Sequence, residues 1–134
     1  MDATVAHVLT RYRTWAVVGC SPSPHRDSHS IAALLQREGY RVIPVNPAID
    51  EVLGERAYPA LTQIPAAEGV QVVDIFRRSA EAGRHVDEAI AIGAKVVWMQ
   101  LGVRDDDAAA RAEAHGLQVV MNRCPAIEIP RLGV

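Results

Sequence analysis

The chain has 134 residues, of which 49% are hydrophobic, 22% are charged and only 4% are aromatic. This composition fits one domain over residues 1–134 with an aliphatic core, and it excludes disordered and collagen-like proteins. A formal net charge of -2 gives no electrostatic reason to expect a nucleic-acid partner. No apolar run approaches the roughly 20 residues that span a bilayer, and the N-terminus lacks a signal-peptide pattern, so we expect a cytoplasmic protein without membrane contact.

The chain begins with a predicted helix and continues with five short strand segments. Val5, Val8, Leu9 and Tyr12 share one helical face, which indicates a helix packed on the outside of a sheet. Apolar, β-branched runs then occur at residues 15–19, 41–45, 71–76, 95–99 and 118–121, numbered here as the first to fifth segments. Apolar residues occupy both faces of each run, which is typical of parallel strands that helices cover on both sides.

Helical patterns with recognisable ends separate these segments. Apolar stripes recur within residues 31–35, 86–90 and 108–112. The candidate N-cap residues are Ser28 or Ser30, Ser79 and Asp105, and the candidate residues just after the helix C-termini are Gly39, Gly93 and Gly116. By contrast, residues 46–70 are rich in proline, glycine and polar residues, so we predict irregular chain there with a short helix near residues 61–63.

The spacing of the segments predicts the class of fold. Each connection is long enough for a right-handed crossover, which makes an α/β fold with a doubly wound parallel sheet the simplest topology. We predict five strands in the order 3-2-1-4-5, with helices on both faces of the sheet. In such a sheet a ligand binds beyond the carboxyl ends of the strands, where the strand order reverses.

The loop after the first segment has the features of an anion site. It leads into a helix whose N-terminus, near Ser28 and Ser30, offers unpaired N–H groups and the positive end of the helix dipole. The guanidinium of Arg26 adds planar donors that suit a phosphate. The alternative is that the serines only cap the helix and that Arg26 is solvated, and these residues alone leave both interpretations open.

Two common nucleotide signatures are missing from the sequence. Gly19 is followed by Cys20 and Ser21 instead of the further glycines of the G-x-G-x-x-G dinucleotide fingerprint. The second segment ends at Asn46 and Pro47 instead of the acidic residue that holds a ribose. The Walker pattern is also absent, so NAD is disfavoured and ATP hydrolysis has no support, while an adenine nucleotide held in another way stays open.

At the third segment, two kinds of side chain each allow two interpretations, and a third is interpreted as structural. Arg77 and Arg78 follow the segment directly and either reach a phosphate or lie in water and pair with an acid such as Asp74. Phe76 either lies against an adenine or belongs to the core. Asp74 lies within the apolar run, where a buried carboxyl needs a partner, so we interpret it as structural.

The sequence assigns no catalytic and no metal-binding residue. Ser21 is not in a G-x-S-x-G elbow, and His25, His29 and Cys20 lack the spacing of a known metal-ligand set. The other histidines, His7, His85 and His115, are interpreted as helix-surface residues. Cys20 and Cys124 end strands that lie two spacings apart in the predicted order, on the order of 10 Å, so we expect reduced thiols rather than a disulfide.

Several motifs in combination resemble the small, stand-alone CoA-binding domain proteins. These motifs are VVGCSPSPHRDS, GYRVIPVNP, VLGERAYPAL, VVDIFRRS, GAKVVWMQLGV and NRCP, and the resemblance extends over residues 15–132. This family is similar to the N-terminal CoA-binding domain of the succinyl-CoA synthetase α subunit, which implies a Rossmann-like fold. The phosphohistidine and nucleotide chemistry of that enzyme lies in its other domains.

The resemblance implies a ligand, coenzyme A or an acyl-CoA, and a set of residues around it. It places in the loop on the nucleotide side Gly19, Cys20, Ser21, Pro24, Arg26 and Ser28, with Arg26 toward the ribose 3′-phosphate. It places Asn46 and Pro47 in the same crevice, Phe76, Arg77 and Arg78 along the adenine and diphosphate, and Gln100, Leu101 and Gly102 on the pantetheine side. Cys20 departs from the small alanine of many relatives, and Cys124 belongs to the D/N-R-C pattern of the family.

Three hypotheses about function follow from these observations. The first is a binding module that holds CoA or an acyl-CoA without catalysis. The second is an enzyme that uses Cys124 or Cys20 in acyl or redox chemistry on a CoA thioester. The third is a regulatory or adaptor protein that reports the CoA level to a protein partner. For all three hypotheses the protein partner is unknown, and both a monomer and a homodimer stay open.

Overall fold

The computed structural model describes residues 2–134, and within that range the chain forms five α-helices and seven strands. The helices are α1 (Asp2–Arg11), α2 (Asp27–Arg37), α3 (Ser79–Ala91), α4 (Asp106–Ala114) and α5 (Pro125–Leu132). The strands are β1 (Thr14–Val18), β2 (Arg41–Val45), β3 (Glu51–Val52), β4 (Glu55–Arg56), β5 (Val72–Ile75), β6 (Val96–Met99) and β7 (Gln118–Met121). Single 3₁₀ turns lie at Leu61–Gln63 and Ala66–Glu68.

The main sheet has five parallel strands in the order β2-β1-β5-β6-β7. The α/β class and the parallel five-stranded sheet are therefore confirmed. The position of the third predicted segment differs from the order 3-2-1-4-5, because β5 lies between β1 and β6 rather than outside β2, which gives 2-1-3-4-5. Tyr58 occupies the outer edge of β2 instead: its N–H donates to the Pro44 carbonyl at 3.0 Å, and its carbonyl accepts from Asn46 N–H at 2.9 Å.

Helices cover both faces of this sheet, as predicted. On one face, α1, α2 and α5 pack over a layer that includes Trp15, Val17 and Trp98. On the other face, α3 and α4 pack over a layer that includes Ile75 and Met99. Successive residues of a strand point to opposite faces, so both faces of β1, β5 and β6 need apolar side chains, and this explains the continuous apolar runs in the sequence.

The structure confirms more of the predicted residues at the helix C-termini than at the helix N-termini. Gly39, Gly93 and Gly116 follow α2, α3 and α4 with positive φ, as predicted. Asp105 caps α4, because its carboxylate accepts the Ala108 N–H at 3.0 Å. The other N-cap predictions are wrong: α2 and α3 are capped by Arg26 and Arg78 without a side-chain hydrogen bond, and the serines lie inside the helices.

The connection between β2 and β5 confirms the short helix at Leu61–Gln63 and adds a feature that the sequence did not predict. This feature is a two-stranded antiparallel hairpin of β3 and β4. The helix α5 was also not predicted, although Pro125 at its first turn and Gly133 after its end are ordinary helix boundary signals. Both features lie outside the strand ends that position the site.

Candidate functional site

A cavity of about 820 Å³ lies at the carboxyl end of the sheet, where residues following β1, β2, β5 and β6 meet. This volume is within the range of about 300–1,000 Å³ that is typical of small-molecule and cofactor sites. Ten residues predicted for the site line the cavity: Gly19, Ser21, Arg26, Ser28, Asn46, Pro47, Phe76, Arg77, Gln100 and Leu101. Four others, Cys20, Pro24, Arg78 and Gly102, are not among the lining residues.

Two opposite walls of the cavity differ in structure, and each is named here after its helix. The α2 wall consists of Gly19, Ser21, His25, Arg26, Asp27 and Ser28. The α3 wall consists of Arg84, His85 and Glu88 from α3, with Gln100, Leu101 and Val103 from the loop after β6. The sequence predicted much of the α2 wall, whereas it predicted none of the three residues from α3.

Gly19 is the point at which the α2 wall contacts the end of β5. Its φ of +82° lies in the left-handed region, and a Cβ atom at this position would lie 2.6 Å from the carbonyl oxygen of Phe76 and 3.2 Å from Cδ of Arg77. Its N–H donates to the Val45 carbonyl at 2.9 Å. Only glycine satisfies both the dihedral angle and the close approach of the backbones.

The hydroxyls of the α2 wall hold the loop in place. Ser28 Oγ accepts the Ser21 N–H at 3.0 Å, and Ser21 Oγ accepts the Ser23 N–H at 3.0 Å. Ser28 is therefore not a helix cap, and as an acceptor it fixes the loop onto the first turn of α2. Because α2 begins at Asp27, its first N–H groups lack acceptors within the helix, and exposed Arg26 stands directly before them. This is the anion-suited geometry that the sequence predicted, although the carboxylate of Asp27 opposes part of the charge.

Asn46 joins the carboxyl ends of β1 and β2. Its Nδ2 donates to the Cys20 carbonyl at 2.9 Å, and its Oδ1 accepts the Ala48 N–H at 2.9 Å. Both ends of the amide are thus engaged within the protein. Asn46 contributes to the shape of the cavity by fixing two strand ends relative to each other.

The two arginines after β5 have different environments. Arg77 lines the cavity and donates through Nη2 to both carboxylate oxygens of Glu81 at 3.1 Å, and this hydrogen bond lowers the pKa of Glu81. The side chain of Arg78 is 85% exposed and interacts weakly with the same carboxylate at 3.5 Å. The acid that pairs with Arg77 is therefore Glu81 rather than Asp74.

A buried thiol and a buried carboxyl lie beneath the α2 wall. Cys20 is fully buried, and its thiol is protonated at neutral pH because its pKa is raised to about 11. Desolvation is the larger cause of this increase, and the negative charge of the nearby Asp74 is the smaller one.

Asp74 is also fully buried, and among residues 2–134 neither of its carboxylate oxygens has a hydrogen-bond partner. Burial raises the pKa of Asp74 well above its usual value. The partner that the sequence required for this carboxyl is absent from the described chain. Cys20 and Cys124 are both free and buried.

The α3 wall contains two buried polar side chains with unsatisfied atoms. His85 is only 9% exposed, so its interpretation as a helix-surface residue is wrong. Its Nδ1 lies 2.9 Å from Oε1 of Glu88, while Nε2 has no partner anywhere in the described chain. Gln100 is 4% exposed, and its Oε1 is likewise unpartnered within residues 2–134. The signal was present in the sequence, because Ala82, His85, Val86 and Ala89 form an i, i+3, i+4, i+7 stripe.

Contacts from two other elements hold the loop that carries Gln100. The Gly102 N–H donates to Oδ1 of Asn122 at 2.8 Å, and Asn122 itself has a φ of 61°. Ser79 Oγ accepts the Arg104 N–H at 2.9 Å and donates to the Gly102 carbonyl at 3.3 Å. Gly102 and Ser79 are therefore positioning residues for the α3 wall.

The described residues 2–134 contain no group of three or more histidine, cysteine, aspartate or glutamate side chains placed to hold a metal ion. No helix in the same range is long and apolar enough to cross a membrane.

Comparison with known proteins identifies a family and several relatives. A family model described as "CoA binding domain" matches residues 13–130, which confirms the resemblance of the motifs. The uncharacterized protein YneT of Bacillus subtilis (strain 168) is 36% identical over 122 residues, which cover 91% of this chain and 89% of YneT. The structure of a hypothetical protein from Pyrococcus horikoshii OT3 is similar with a TM-score of 0.94 and 40% identity, over 100% of this chain and 93% of that chain.

A larger enzyme contains a similar fold as one part. The dinucleotide-forming acetyl-coenzyme A synthetase 1 of Ca. Korarchaeum cryptofilum matches with a TM-score of 0.73 and 25% identity, over 87% of this chain but only 27% of the enzyme. The likeness therefore concerns about a quarter of that enzyme.

Proposed function

The chain belongs to the CoA binding domain family, and from this premise we propose that it binds coenzyme A or an acyl-CoA in the cavity between the α2 and α3 walls, without catalysing a reaction on it. The α2 wall is the observation that carries this proposal. It presents the N-terminus of a helix and the guanidinium of Arg26 at one end of a cavity of cofactor size. A diphosphate or a ribose 3′-phosphate is the kind of group that such a wall binds.

The charges around the cavity favour an anionic ligand. The charged residues of its lining are Arg26, Arg77 and Arg84 against Asp27 and Glu88. Asn46 and Pro47 stand where an acidic residue would hold the ribose of NAD, which supports CoA over a dinucleotide.

The geometry gives little support to catalysis by cysteine. The thiol of Cys20 is fully buried and its pKa is raised to about 11, so it is a poor nucleophile at neutral pH. Cys124 is buried and is not among the residues that line the cavity. The cytoplasmic location, the single-domain organisation and the role as a CoA sensor with a protein partner stay predictions from the sequence.

Isothermal titration of the purified, reduced protein with CoA, dephospho-CoA, NAD and ATP tests the proposal. We expect CoA to bind most tightly, and we expect binding to weaken as salt concentration rises, because the contacts are ionic. Arg26→Ala should weaken CoA about tenfold or more and dephospho-CoA much less, because only CoA carries the 3′-phosphate. Arg37→Ala, an exposed residue at the other end of α2, is the matched control and should leave both affinities unchanged. No binding of CoA at millimolar concentration would refute the proposal.

A further inference from the structure

The α3 wall leaves polar atoms without partners at the edge of a cavity of cofactor size. His85 Nε2 and Gln100 Oε1 are both buried, and residues 2–134 offer neither of them a hydrogen bond. Buried polar atoms in native proteins nearly always have a partner, and each exception needs an explanation. Both residues line the cavity, although these two atoms themselves are covered, so a ligand in the cavity supplies the missing partners once the side chains rotate toward it.

The contacts of His85 define what kind of partner it lacks. Its Nδ1 faces Oε1 of Glu88 at 2.9 Å, and a carboxylate only accepts hydrogen bonds, so Nδ1 carries the proton. In the neutral ring, Nε2 is then an acceptor. Gln100 Oε1 is an acceptor as well. With His85 in this neutral form, both unpartnered atoms of the α3 wall are acceptors and require hydrogen-bond donors from a ligand.

The distance between the two walls indicates which part of the proposed ligand meets these acceptors. The α2 wall follows β1, and Gln100 follows β6, two strand spacings or about 10 Å away across β5. A ligand that binds its phosphates at the α2 wall reaches the α3 wall only through an arm that spans this distance. The pantetheine arm of CoA is such a group, since it carries amide N–H donors and ends in a thiol.

From this arrangement, and resting on the proposed function, we propose that the α3 wall recognises the free thiol form of CoA, with Gln100 accepting from an amide of the pantetheine arm and His85 accepting from the thiol. A thioester has no S–H group, so an acyl-CoA leaves His85 Nε2 unsatisfied. The protein is accordingly a binder of free CoA that discriminates against acylated CoA.

The same contact lowers the pKa of the bound thiol. When the S–H bond breaks, its proton moves to His85 Nε2, and the resulting imidazolium lies between the thiolate and the Glu88 carboxylate; no other reactant is consumed. The remaining titratable and charged residues of the cavity lining are His25, Arg26, Asp27, Arg77 and Arg84. The positive charges of these arginines also lower the pKa of the bound thiol. The contribution of His85 to this pKa shift is therefore measured by substituting His85.

The decisive experiment compares four ligands on the full chain: CoA, desulfo-CoA, acetyl-CoA and 3′,5′-ADP, which lacks the pantetheine arm. We expect the wild-type protein to bind CoA about threefold to tenfold more tightly than desulfo-CoA or acetyl-CoA, as one hydrogen bond provides. His85→Phe fills the same space without an acceptor, so it should abolish this preference and leave the affinity for 3′,5′-ADP unchanged. His115→Phe, an exposed histidine at the end of α4, is the matched control and should behave like the wild type.

Ultraviolet absorbance of the thiolate provides a second readout, which a merely structural role of His85 would not change. The thiol of bound CoA should titrate about one pH unit or more below that of free CoA in the wild-type protein. Most of this shift should disappear in His85→Phe, and part of it in Glu88→Gln, which keeps an acceptor for Nδ1 but removes the charge.

Three results would overturn the inference while leaving the proposed function intact. The first is binding of acetyl-CoA at least as tight as that of CoA. The second is an equal loss of affinity for CoA and 3′,5′-ADP in His85→Phe, which would place the adenosine end at the α3 wall. The third is an unshifted thiol pKa in the wild-type complex. Failure of CoA and 3′,5′-ADP alike to bind the wild-type protein would instead refute the proposed function.

Discussion

On the α2 wall of the cavity, the hydroxyls of Ser21 and Ser28 accept hydrogen bonds from backbone N–H groups of their own loop, whereas on the α3 wall the acceptors of His85 and Gln100 are unpartnered within the described chain. Hydrogen bonds within the protein fix the shape of the loop in the α2 wall. The α3 wall has a fixed backbone but unsatisfied side chains. This difference is the basis of our proposals that the α2 wall holds the charged end of the ligand and that the α3 wall distinguishes the free thiol from its acylated form.

The same contrast occurs between two buried carboxyls on one face of the sheet. Glu128, only 3% exposed, accepts from Arg131 at 2.7 Å and lies 3.5 Å from Arg123. Asp74 is fully buried, and residues 2–134 provide it with no hydrogen bond. Burial without a partner raises the pKa of Asp74 and favours its protonated form, whereas arginines compensate the burial of the Glu128 carboxylate.

The largest expected effect comes from the contact that joins the α2 wall to β5. Gly19→Ala should lower the free energy of unfolding by about 3 kcal/mol or more, because left-handed strain adds to overlap with the carbonyl of Phe76. Gly39→Ala is the matched control, since Gly39 also has a positive φ but a Cβ there would meet no described atom within 4 Å. We expect Gly39→Ala to cost only about 1–2 kcal/mol by urea denaturation. Equal losses in the two variants would show that the close contact is unimportant.

The unpaired carboxyl of Asp74 should produce a stability that falls as pH rises. Burial raises its pKa in the folded state, so the folded protein keeps a proton that the unfolded chain releases. Unfolding free energy should therefore decrease from the unfolded pKa of about 4 upward to the raised pKa of the folded state. Asp74→Val should remove this decrease and stabilise the protein at pH 7 by about 1–3 kcal/mol.

Thermal and urea unfolding between pH 4 and pH 8 provide the measurement, in steps of about one pH unit. Asp50→Val changes an exposed aspartate and serves as the control, whose pH profile should follow that of the wild type. If the pH profile of Asp74→Val equals that of the wild type, the pKa of Asp74 is not raised in the folded protein, and the prediction is wrong.

The smallest effects directly compare the two walls in the ligand-free protein. Ser28→Ala removes a partner of a backbone N–H and should destabilise the protein by about 1 kcal/mol. Gln100→Leu removes an unsatisfied acceptor and should be neutral or stabilising by about 1 kcal/mol. Both are measured by urea denaturation, and destabilisation by Gln100→Leu equal to that by Ser28→Ala would contradict the difference between the walls.

Much of the candidate site was predicted from the sequence because the carboxyl ends of parallel strands meet at one edge of a sheet. Gly19 ends a predicted strand, Arg77 and Gln100 each follow one, and all three line the cavity. The residues from α3 were not predicted, since a helix reaches this edge only through its packing on the sheet. His85 illustrates the point: its helical stripe was readable, but the surface that buries it was not.

The sequence by itself determined the features that depend on a few neighbouring residues. The five strand segments, the glycines after α2, α3 and α4, and the Asp105 cap are set by side-chain periodicity, dihedral preference and hydrogen bonds over at most four residues. Only the tertiary structure decided the place of β5 between β1 and β6, the burial of His85 and the isolation of Asp74. These features arise from contacts between segments far apart in the chain, and the pattern within one segment does not specify which distant segment will cover it.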